Sequence, residues 1–301
     1  MNNAQYNRFQ KYILSWYREN NRDYLPWRVT RQRKVSPYEI FVSEIMLQQT
    51  RVARVLEKYP QFLKVFPTVY HLARAPLPKM LRVWQGMGYN RRARYLKEAA
   101  EIIVKDYKGI VPSDPALLRR LSGVGPYTAG AIACFAYNKP AVFLDTNIRK
   151  VLIHYFFHKK KCYHKFCHSK VCVALLKIEK TKKKKEINKI DDNDLLAIAR
   201  KTLYMKNPRK WHYALMDYGA VMLAKEKGLL ERVKNYHKQS RFEGSARYRR
   251  SQIVKYLLEY HYASEEELQA LVSSEIKPLL SSLVRDGLVE AASPGLYRIC
   301  R

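Results

Sequence analysis

The sequence is short of acidic residues and of long apolar runs. It has 26 Asp and Glu against 57 Lys and Arg, a formal net charge of +31 over 301 residues. A surface this positive favours a polyanion, and we expect nucleic acid rather than a membrane as the partner. No apolar run approaches the roughly 20 residues that span a bilayer, and no signal peptide opens the chain. These features predict a cytoplasmic, nucleoid-associated protein.

Cysteine is also scarce, with five residues in an uneven distribution. This is not a secreted disulfide framework, so a reducing, intracellular setting is expected. Three of the five, Cys162, Cys167 and Cys172, lie with histidines in a lysine-rich segment at residues 158–190. Zinc binding by these thiols is one interpretation, but four residues separate neighbouring cysteines and no Cys-x-x-Cys pair is present. We favour a basic insertion with reduced thiols and no metal.

Strand patterns are nearly absent before residue 288, so the sequence predicts an all-α domain over residues 1–230. Apolar residues recur there at helical spacing, and Gly and Pro separate the helical stretches. The predicted helices span residues 6–20, 37–56, 62–72, 77–84, 91–107, 146–157, 193–204 and 208–227.

The pattern changes after a basic linker at residues 231–246. Residues 247–301 are predicted to form a small winged-helix-like (α+β) domain, from helices followed by two short strands. The predicted elements span residues 247–260, 264–272, 275–286, 288–291 and 296–299. The expected recognition helix carries only Lys277 and Arg285 as basic residues. DNA readout there is no better supported than a packing or dimerising role, and we expect the whole protein to be a monomer.

A short glycine-containing stretch, Leu121–Pro126, predicts a tight hairpin between helices. Gly123 and Gly125 permit positive φ and close backbone approach, and Pro126 suits the first turn of a helix. Free amides at that helix N-terminus are a ready site for a backbone phosphate. The alternative is an ordinary helical hairpin. Asp145 follows later, between an apolar run and a helix from Thr146, where a cap is the simplest role.

Two further stretches carry candidate chemistry. Glu44 lies on the apolar side of its predicted helix, where poor solvation favours the protonated form and suits a general acid. The alternative is a Glu at the edge of the stripe that reaches water or pairs with an arginine. The turn Gly86–Tyr89 precedes Arg91, Arg92 and Arg94, which suits phosphate binding around an inserted ring. A solvated basic helix start is the other interpretation.

Six stretches occur together in one order: Leu25–Arg28, Ser43–Thr50, Gly86–Tyr89, Leu121–Ala131, Leu144–Asn147 and Ala214–Ala220. Together they resemble the helix-hairpin-helix DNA glycosylase superfamily, and within it the A/G-specific adenine glycosylase (MutY) family. The resemblance runs from about Tyr12 to Leu223, interrupted by the basic insertion. It implies a two-lobed helix-hairpin-helix fold and a DNA repair glycosylase that acts on mispaired duplex DNA.

The resemblance also implies a division of labour between two carboxyl groups. Glu44 would protonate the departing purine and then activate water, while Asp145 would remain ionised and stabilise the oxocarbenium-like sugar. The amides at the start of the Asp145 helix favour that anion. Tyr127 and Asn147 would line the sugar side of the pocket.

A base inside a duplex cannot be reached, so the resemblance further implies that the base is flipped out and the gap filled. Gln49 and Tyr89, with Gln48 beside them, would fill the gap. The walls around the extruded base would be Trp27, Arg28 and Leu47. The residues expected to contact DNA are Gln48, Gln49, Tyr89, Arg91, Arg92, Arg94, Gly123, Val124, Gly125 and Thr128. A monovalent cation is a further candidate at the hairpin, and no other cofactor is required.

Where the lyase branch typified by endonuclease III has a lysine, this chain has Tyr127. Without that amine no Schiff base forms, so we expect a monofunctional enzyme.

The chain departs from the family pattern elsewhere. Residues 223–250 contain no cysteine, so no iron–sulfur cluster is expected, and the winged-helix-like segment replaces a nudix-like domain. Asn90 stands where a second aromatic residue is usual.

The excised base is expected to be adenine opposite 8-oxoguanine or guanine. Tyr127 and Asp145 also suit a glycosylase for thymine, uracil or 5-hydroxymethyluracil opposite guanine, whereas Glu44 with Gln48–Thr50 favours adenine. A non-catalytic DNA-binding regulator is the alternative from another class.

Overall fold

The computed structural model describes residues 3–157, 189–234, 236, 241–272 and 274–301. Its helices are, in chain order, α1 (Asn3–Asn20), α2 (Pro37–Leu47), α3 (Val52–Val65), α4 (Val69–Ala73), α5 (Leu77–Trp84), α6 (Arg91–Tyr107), α7 (Pro115–Leu118), α8 (Pro126–Tyr137), α9 (Thr146–Phe156), α10 (Asp192–Thr202), α11 (Pro208–Val221), α12 (Ala246–Tyr260), α13 (Glu265–Leu271) and α14 (Ile276–Arg285). A short 3₁₀ helix spans Leu230–Arg232, and the strands are β1 (Tyr262–Ser264), β2 (Val289–Ser293) and β3 (Leu296–Ile299). The prediction of a helical protein with a small C-terminal α+β part is confirmed.

The chain divides into two compact units. The first consists of Met1–Tyr24 and Ala133–Lys238, and the second of Leu25–Ile132 and Gln239–Arg301. The predicted domain limits, with an all-α domain over residues 1–230, a linker over 231–246 and a winged-helix-like domain over 247–301, stay a prediction. None of the helices in the described ranges is long and apolar enough to pass through a bilayer. The three cysteines considered for zinc lie outside the described residues.

Aromatic residues at helical spacing build the core of the first unit. On α1, Phe9 meets Phe156 of α9 and Trp211 of α11 edge to face, with ring centroids 5.1 and 5.6 Å apart. Burial of rings this large dominates the stabilisation of a small core. The Tyr155 and Tyr218 hydroxyls, 2.6 Å apart, satisfy each other within that core.

Trp84, which is fully buried, anchors the core of the second unit. Its ring meets Phe62 of α3 edge to face at 6.0 Å, and its indole N–H donates to the Gly88 carbonyl at 3.1 Å. The apolar stripe of α6, including Leu96 and Ile103, is buried in the same unit. The end of α5 and the turn that follows it are therefore held from two sides.

The C-terminal part of the second unit has the helix and strand order of a winged helix. Its sheet is antiparallel in the order β1-β3-β2, with Ala263 opposite Tyr297 and Val289 opposite Ile299. The sequence prediction missed β1, which is only three residues long and ends at Ser264, the residue that also caps α13. Arg82 of α5 donates to the Leu258 carbonyl of α12 at 2.9 Å, which joins this part to the rest of the unit.

Three predicted helices differ most from the structure, and the one predicted over residues 208–227 already ends at Val221. The helix predicted over residues 37–56 is interrupted at Gln48–Arg51, where Gln49 has a φ of +54°, and α3 begins only at Val52. The helix predicted over residues 62–72 is wrong as well, because Phe62 lies in the last turns of α3. A new helix starts after Thr68, whose side chain accepts the His71 amide.

Candidate active site

Helix α2 is buried along nearly its whole length and carries Glu44. A capping box fixes its start: the Ser36 hydroxyl accepts the Glu39 amide at 3.2 Å, and the Glu39 carboxylate accepts the Ser36 amide at 2.7 Å. Glu44 is only 5% exposed. The alternative of a glutamate that reaches water at the edge of the stripe is therefore excluded, whereas pairing with an arginine stays open. A carboxyl removed from water in this way is disfavoured in its charged form.

Arg92, which we predicted to contact phosphate, is buried and holds the end of α2 instead. Its guanidinium donates to the carbonyl oxygens of α2 and of the following turn, and to those of the glycine turn before α6. The acceptors are Ile45 at 2.9 Å, Met46 at 3.0 Å, Gln48 at 2.6 Å, Met87 at 3.0 Å and Gly88 at 3.1 Å, together with the Thr50 hydroxyl at 2.9 Å. The last carbonyl oxygens of a helix have no hydrogen-bond donor within the helix, and the Arg92 guanidinium supplies the missing donors. Burial lowers the pKa of Arg92 to about 10.

Both residues predicted to fill the gap left by an extruded base have a left-handed backbone. Gln49 is exposed with a φ of +54°, and Tyr89 has a φ of +47°. Non-glycine residues adopt this conformation rarely and mostly where the surroundings impose it. Because Arg92 binds the carbonyls on both sides, it fixes the two turns relative to each other within this unit.

The predicted hairpin is present and is tied to the end of α2. Gly123 has a φ of +75°, and a Cβ there would lie 2.9 Å from the Cβ of Tyr95, so only glycine fits. The Gln48 side-chain amide donates to the Gly123 carbonyl at 3.2 Å and to the Thr128 hydroxyl at 3.1 Å. Val124 is buried as well. The Gln48 amide and Thr128 hydroxyl thus bind each other rather than pointing outward, which we did not predict.

The two remaining arginines of α6 face the C-terminal part of the second unit. Arg91 lies over the Tyr95 ring at 5.5 Å and pairs with Asp286 at 3.2 Å, while half of its side chain stays exposed. Arg94 is paired with Glu98 at 2.7 Å and donates to the Asp286 carbonyl at 2.7 Å. Arg94 uses its Nε and Nη1 in these contacts, and the prediction of a phosphate contact stays a prediction for both arginines.

In the first unit, Asp145 caps α9 as predicted. One carboxylate oxygen accepts the Ile148 amide at 2.6 Å, and the other accepts the Asn147 side-chain amide at 3.2 Å. Burial raises the pKa of Asp145, although both hydrogen bonds and the charge of Arg149 favour the anion. The expectation that the helix start keeps this group ionised thus meets an opposing effect of desolvation.

Gly219 shapes this site, although we assigned it no role. A Cβ at Gly219 would lie 2.4 Å from the Asn147 carbonyl oxygen and 2.8 Å from the Asn147 Cβ. Gly219 therefore lets α11 press against the first turn of α9, next to Asp145. Glycine inside a helix costs about 1 kcal/mol relative to Ala. A glycine within a predicted helix is therefore a sequence signal that another element packs closely against it.

The predicted base-pocket residues occupy two places in the second unit. Trp27 and Arg28 are both buried in the turn before α2, with the Trp27 ring edge-on to Tyr59 at 5.5 Å. Leu47 is half-buried at the last position of α2. Tyr127 is half-buried at the second position of α8. Their roles toward a base or a sugar stay predictions.

Residues 42–171 match the model of the HhH-GPD superfamily base excision DNA repair protein. Over these residues, which are less than half of the chain, the similarity to the helix-hairpin-helix DNA glycosylase superfamily that the six motifs predicted is confirmed. Within that superfamily the chain is similar to adenine DNA glycosylases, with 46% identity over 140 residues to the one from Mycobacterium tuberculosis (46% of this chain, 45% of that protein). The protein of the same name from Buchnera aphidicola is 42% identical over 148 residues (49% and 41%).

The chain spans less than half the length of these two curated relatives. Among solved structures, that of a thermostable thymine-DNA glycosylase superposes with a TM-score of 0.57 and 26% identity, covering 76% of this chain and 92% of that one. The likeness in fold thus extends well beyond the segment that matches the adenine glycosylases.

Proposed function

We propose that the protein hydrolyses the N-glycosidic bond of adenine mispaired with 8-oxoguanine or guanine in duplex DNA, acting as a monomer. The observation that carries this proposal is the burial of Glu44, 5% exposed, in a segment that is 46% identical to an adenine DNA glycosylase. A net charge of +31 supports a nucleic-acid partner.

In the proposed reaction Glu44 donates a proton to the leaving adenine. The bond from the sugar C1′ to the base nitrogen breaks with its electron pair leaving on the base, and the sugar becomes oxocarbenium-like. Asp145 stabilises that positive charge, supported as an anion by Ile148, Asn147 and Arg149. Glu44, now a carboxylate, takes a proton from water as the water oxygen bonds to C1′. One neutral and one ionised carboxyl group are what glycosidic cleavage requires.

The two left-handed residues of the second unit support base extrusion. We assign Gln49 and Tyr89 to the gap in the stack, and Trp27, Arg28 and Leu47 to the extruded base. Tyr127 and Asn147 contact the sugar in this proposal, and the backbone of Gly123–Gly125 binds phosphate.

No cofactor takes part in the proposed reaction, because acid, anion and water complete it. An iron–sulfur cluster is not included, since residues 223–250 contain no cysteine. The Gly123 carbonyl accepts a hydrogen bond from Gln48, and no step uses a cation at the hairpin. Tyr127 offers no amine for a Schiff base, so the product is an intact abasic site.

A pyrimidine glycosylase is the second candidate. It is favoured by the 0.57 TM-score and 26% identity to a thymine-DNA glycosylase, a likeness that covers 92% of that protein. Its substrate would be thymine, uracil or 5-hydroxymethyluracil opposite guanine.

The test uses duplexes with a single A·8-oxoG, A·G, T·G, U·G or hydroxymethylU·G pair, treated with alkali after incubation. We expect cleavage at the adenine strand only, no nicking without alkali and no trapping by borohydride. Glu44→Gln should lose turnover and keep DNA affinity, whereas Glu57→Gln, on the exposed side of α3, should keep both. Cleavage of pyrimidine strands would establish the second candidate, and no product from any duplex would favour a DNA-binding regulator.

A further inference from the structure

The second unit contains a cleft of about 590 Å³ where α12 and α14 lie against the start of α6. Five arginines line it: Arg91 and the buried Arg92 from α6, Arg247 and Arg250 from α12, and Arg285 from the end of α14. We call this the arginine cleft. Gln49, Tyr89 and Gly123 line the same cleft, so it is continuous with the turns and hairpin described above.

The charge of the arginine cleft is far from neutral. Among the described residues that line it, Asp286 is the only carboxylate. One of its oxygens accepts a hydrogen bond from Arg91 at 3.2 Å and the other accepts one from Arg250. A single carboxylate therefore pairs with two guanidinium groups. Arg285 is exposed and makes no side-chain hydrogen bond or ion pair with any residue that the structure describes. An excess of fixed guanidinium groups in a cleft attracts and orients an anion.

The arginine cleft also holds the side chain of Tyr89. The Arg247 guanidinium lies 5.0 Å from the centre of the Tyr89 ring and hydrogen-bonds its hydroxyl. The Arg92 guanidinium lies 5.7 Å from the same ring. Arg247, a residue of α12, thus fixes the orientation of the Tyr89 ring in the left-handed turn before α6.

We propose that the arginine cleft binds the phosphate backbone of the DNA duplex beside the Gln49 and Tyr89 turns. The C-terminal part then contacts DNA through α12 and the end of α14, and not through the exposed Lys277 at the start of α14 as a recognition helix would. Guanidinium groups match phosphate oxygens in a bidentate geometry, and several of them fixed on one wall suit a regular backbone. The proposal rests on the proposed function, because it assumes duplex DNA at the adjacent turns.

The experiment measures the affinity of the full-length protein for a mismatched duplex by fluorescence anisotropy across about 50 to 200 mM salt. Removing one phosphate-binding cation lowers the slope of log K against log salt by about 0.9. Arg285→Gln should therefore lower the slope by about this amount and weaken binding several-fold at low salt. Arg285→Lys should retain most of the slope. Because Arg285 is exposed and unpaired among the described residues, neither change should disturb folding.

Two matched controls remove one positive charge elsewhere in the same part: Lys277→Gln on α14 and Lys255→Gln on α12, both exposed. The proposal expects no change of slope from either. An unchanged slope for Arg285→Gln, an equal loss in all three variants, or a loss confined to Lys277→Gln would each overturn it. Adenine release is assayed alongside: no release from any duplex rejects the proposed function, whereas release with an unaltered Arg285→Gln slope rejects only the cleft.

Discussion

The guanidinium of Arg94 occupies the space in which Gly287 would carry a side chain. A Cβ on Gly287 would lie 2.2 Å from Arg94 Nη1, and the φ of Gly287 is +59°. The same Nη1 donates to the carbonyl of the preceding residue, Asp286, at 2.7 Å. The start of α6 is thereby joined to the turn after α14. Position 287 requires a glycine because its backbone is left-handed and because Arg94 fills the space of a side chain.

We predict that Gly287→Ala destabilises the protein by about 2 to 3 kcal/mol. Roughly 1–2 kcal/mol comes from the left-handed backbone and about 1 kcal/mol from loss of the Arg94 hydrogen bond. The midpoint of urea unfolding gives the measurement. Gly295→Ala is the matched control, because Gly295 has a φ of +75° but nothing within 4 Å of its Cβ position. Equal losses in the two variants would contradict the prediction, and in an Arg94→Ala background the difference between them should disappear.

His212 makes stability depend on pH in the first unit. It is 2% exposed, stacks on Phe143 at 4.0 Å, and its Nε2 donates to the Ala141 carbonyl at 2.8 Å. Its Nδ1 has no hydrogen-bond partner in the part of the chain that the structure describes, as suits a neutral ring. Burial lowers the pKa of His212 from 6.5 to about 4.

We predict that the free energy of unfolding falls as pH drops from about 6.5 to about 4. Over that interval the unfolded chain binds a proton at this ring and the folded one does not, a loss of about 3 kcal/mol in total. His212→Phe, which keeps the stacking, should flatten this part of the pH profile even if it lowers stability at pH 8. A profile that stays steep in His212→Phe would assign the effect to other groups.

Helix α6 was predicted to the residue, whereas the break after α2 was not. The limits of α6 follow from local signals, a glycine turn before Arg91 and Gly109 just after the helix, where φ is +79°. The stretch Gln48–Arg51 contains no glycine or proline. Its turn is held by Arg92, more than forty positions along the chain, so no local pattern could specify it.

The site was predictable where periodicity decides burial. The apolar neighbours of Glu44 on one helix face predicted that its carboxyl would be buried, and it is. The same reasoning applies to Arg92, because it falls on the buried stripe of α6 with Leu96, Ala99 and Ile103. We interpreted three nearby arginines as one phosphate-binding group instead. The hydrogen bond from Arg94 to the Asp286 carbonyl could not be predicted, since it depends on tertiary packing.

Asp145 and Asp191 both cap helices of the first unit, yet their pKa values move in opposite directions. Burial raises the pKa of Asp145. The pKa of Asp191 is lowered by a hydrogen bond from the Asn193 amide and by the nearby charge of Lys234. A carboxylate with a raised pKa costs stability at neutral pH, whereas one with a lowered pKa contributes stability there.

We predict that Asp145→Asn raises the free energy of unfolding at pH 7 while abolishing base release. Asn caps helices as well as Asp does, so the change removes mainly the unfavourable buried charge. The gain should vanish below about pH 4, where Asp145 is protonated in both the folded and the unfolded chain. Asp191→Asn should do the reverse, lowering stability at pH 7 and leaving turnover intact. Urea unfolding at pH 7 and at about pH 3, with the excision assay at neutral pH, measures the stability and the turnover of both variants. If Asp145→Asn were destabilising at pH 7, the carboxylate would be a structural anion, and the charge that we assign to catalysis would be one that the fold itself requires.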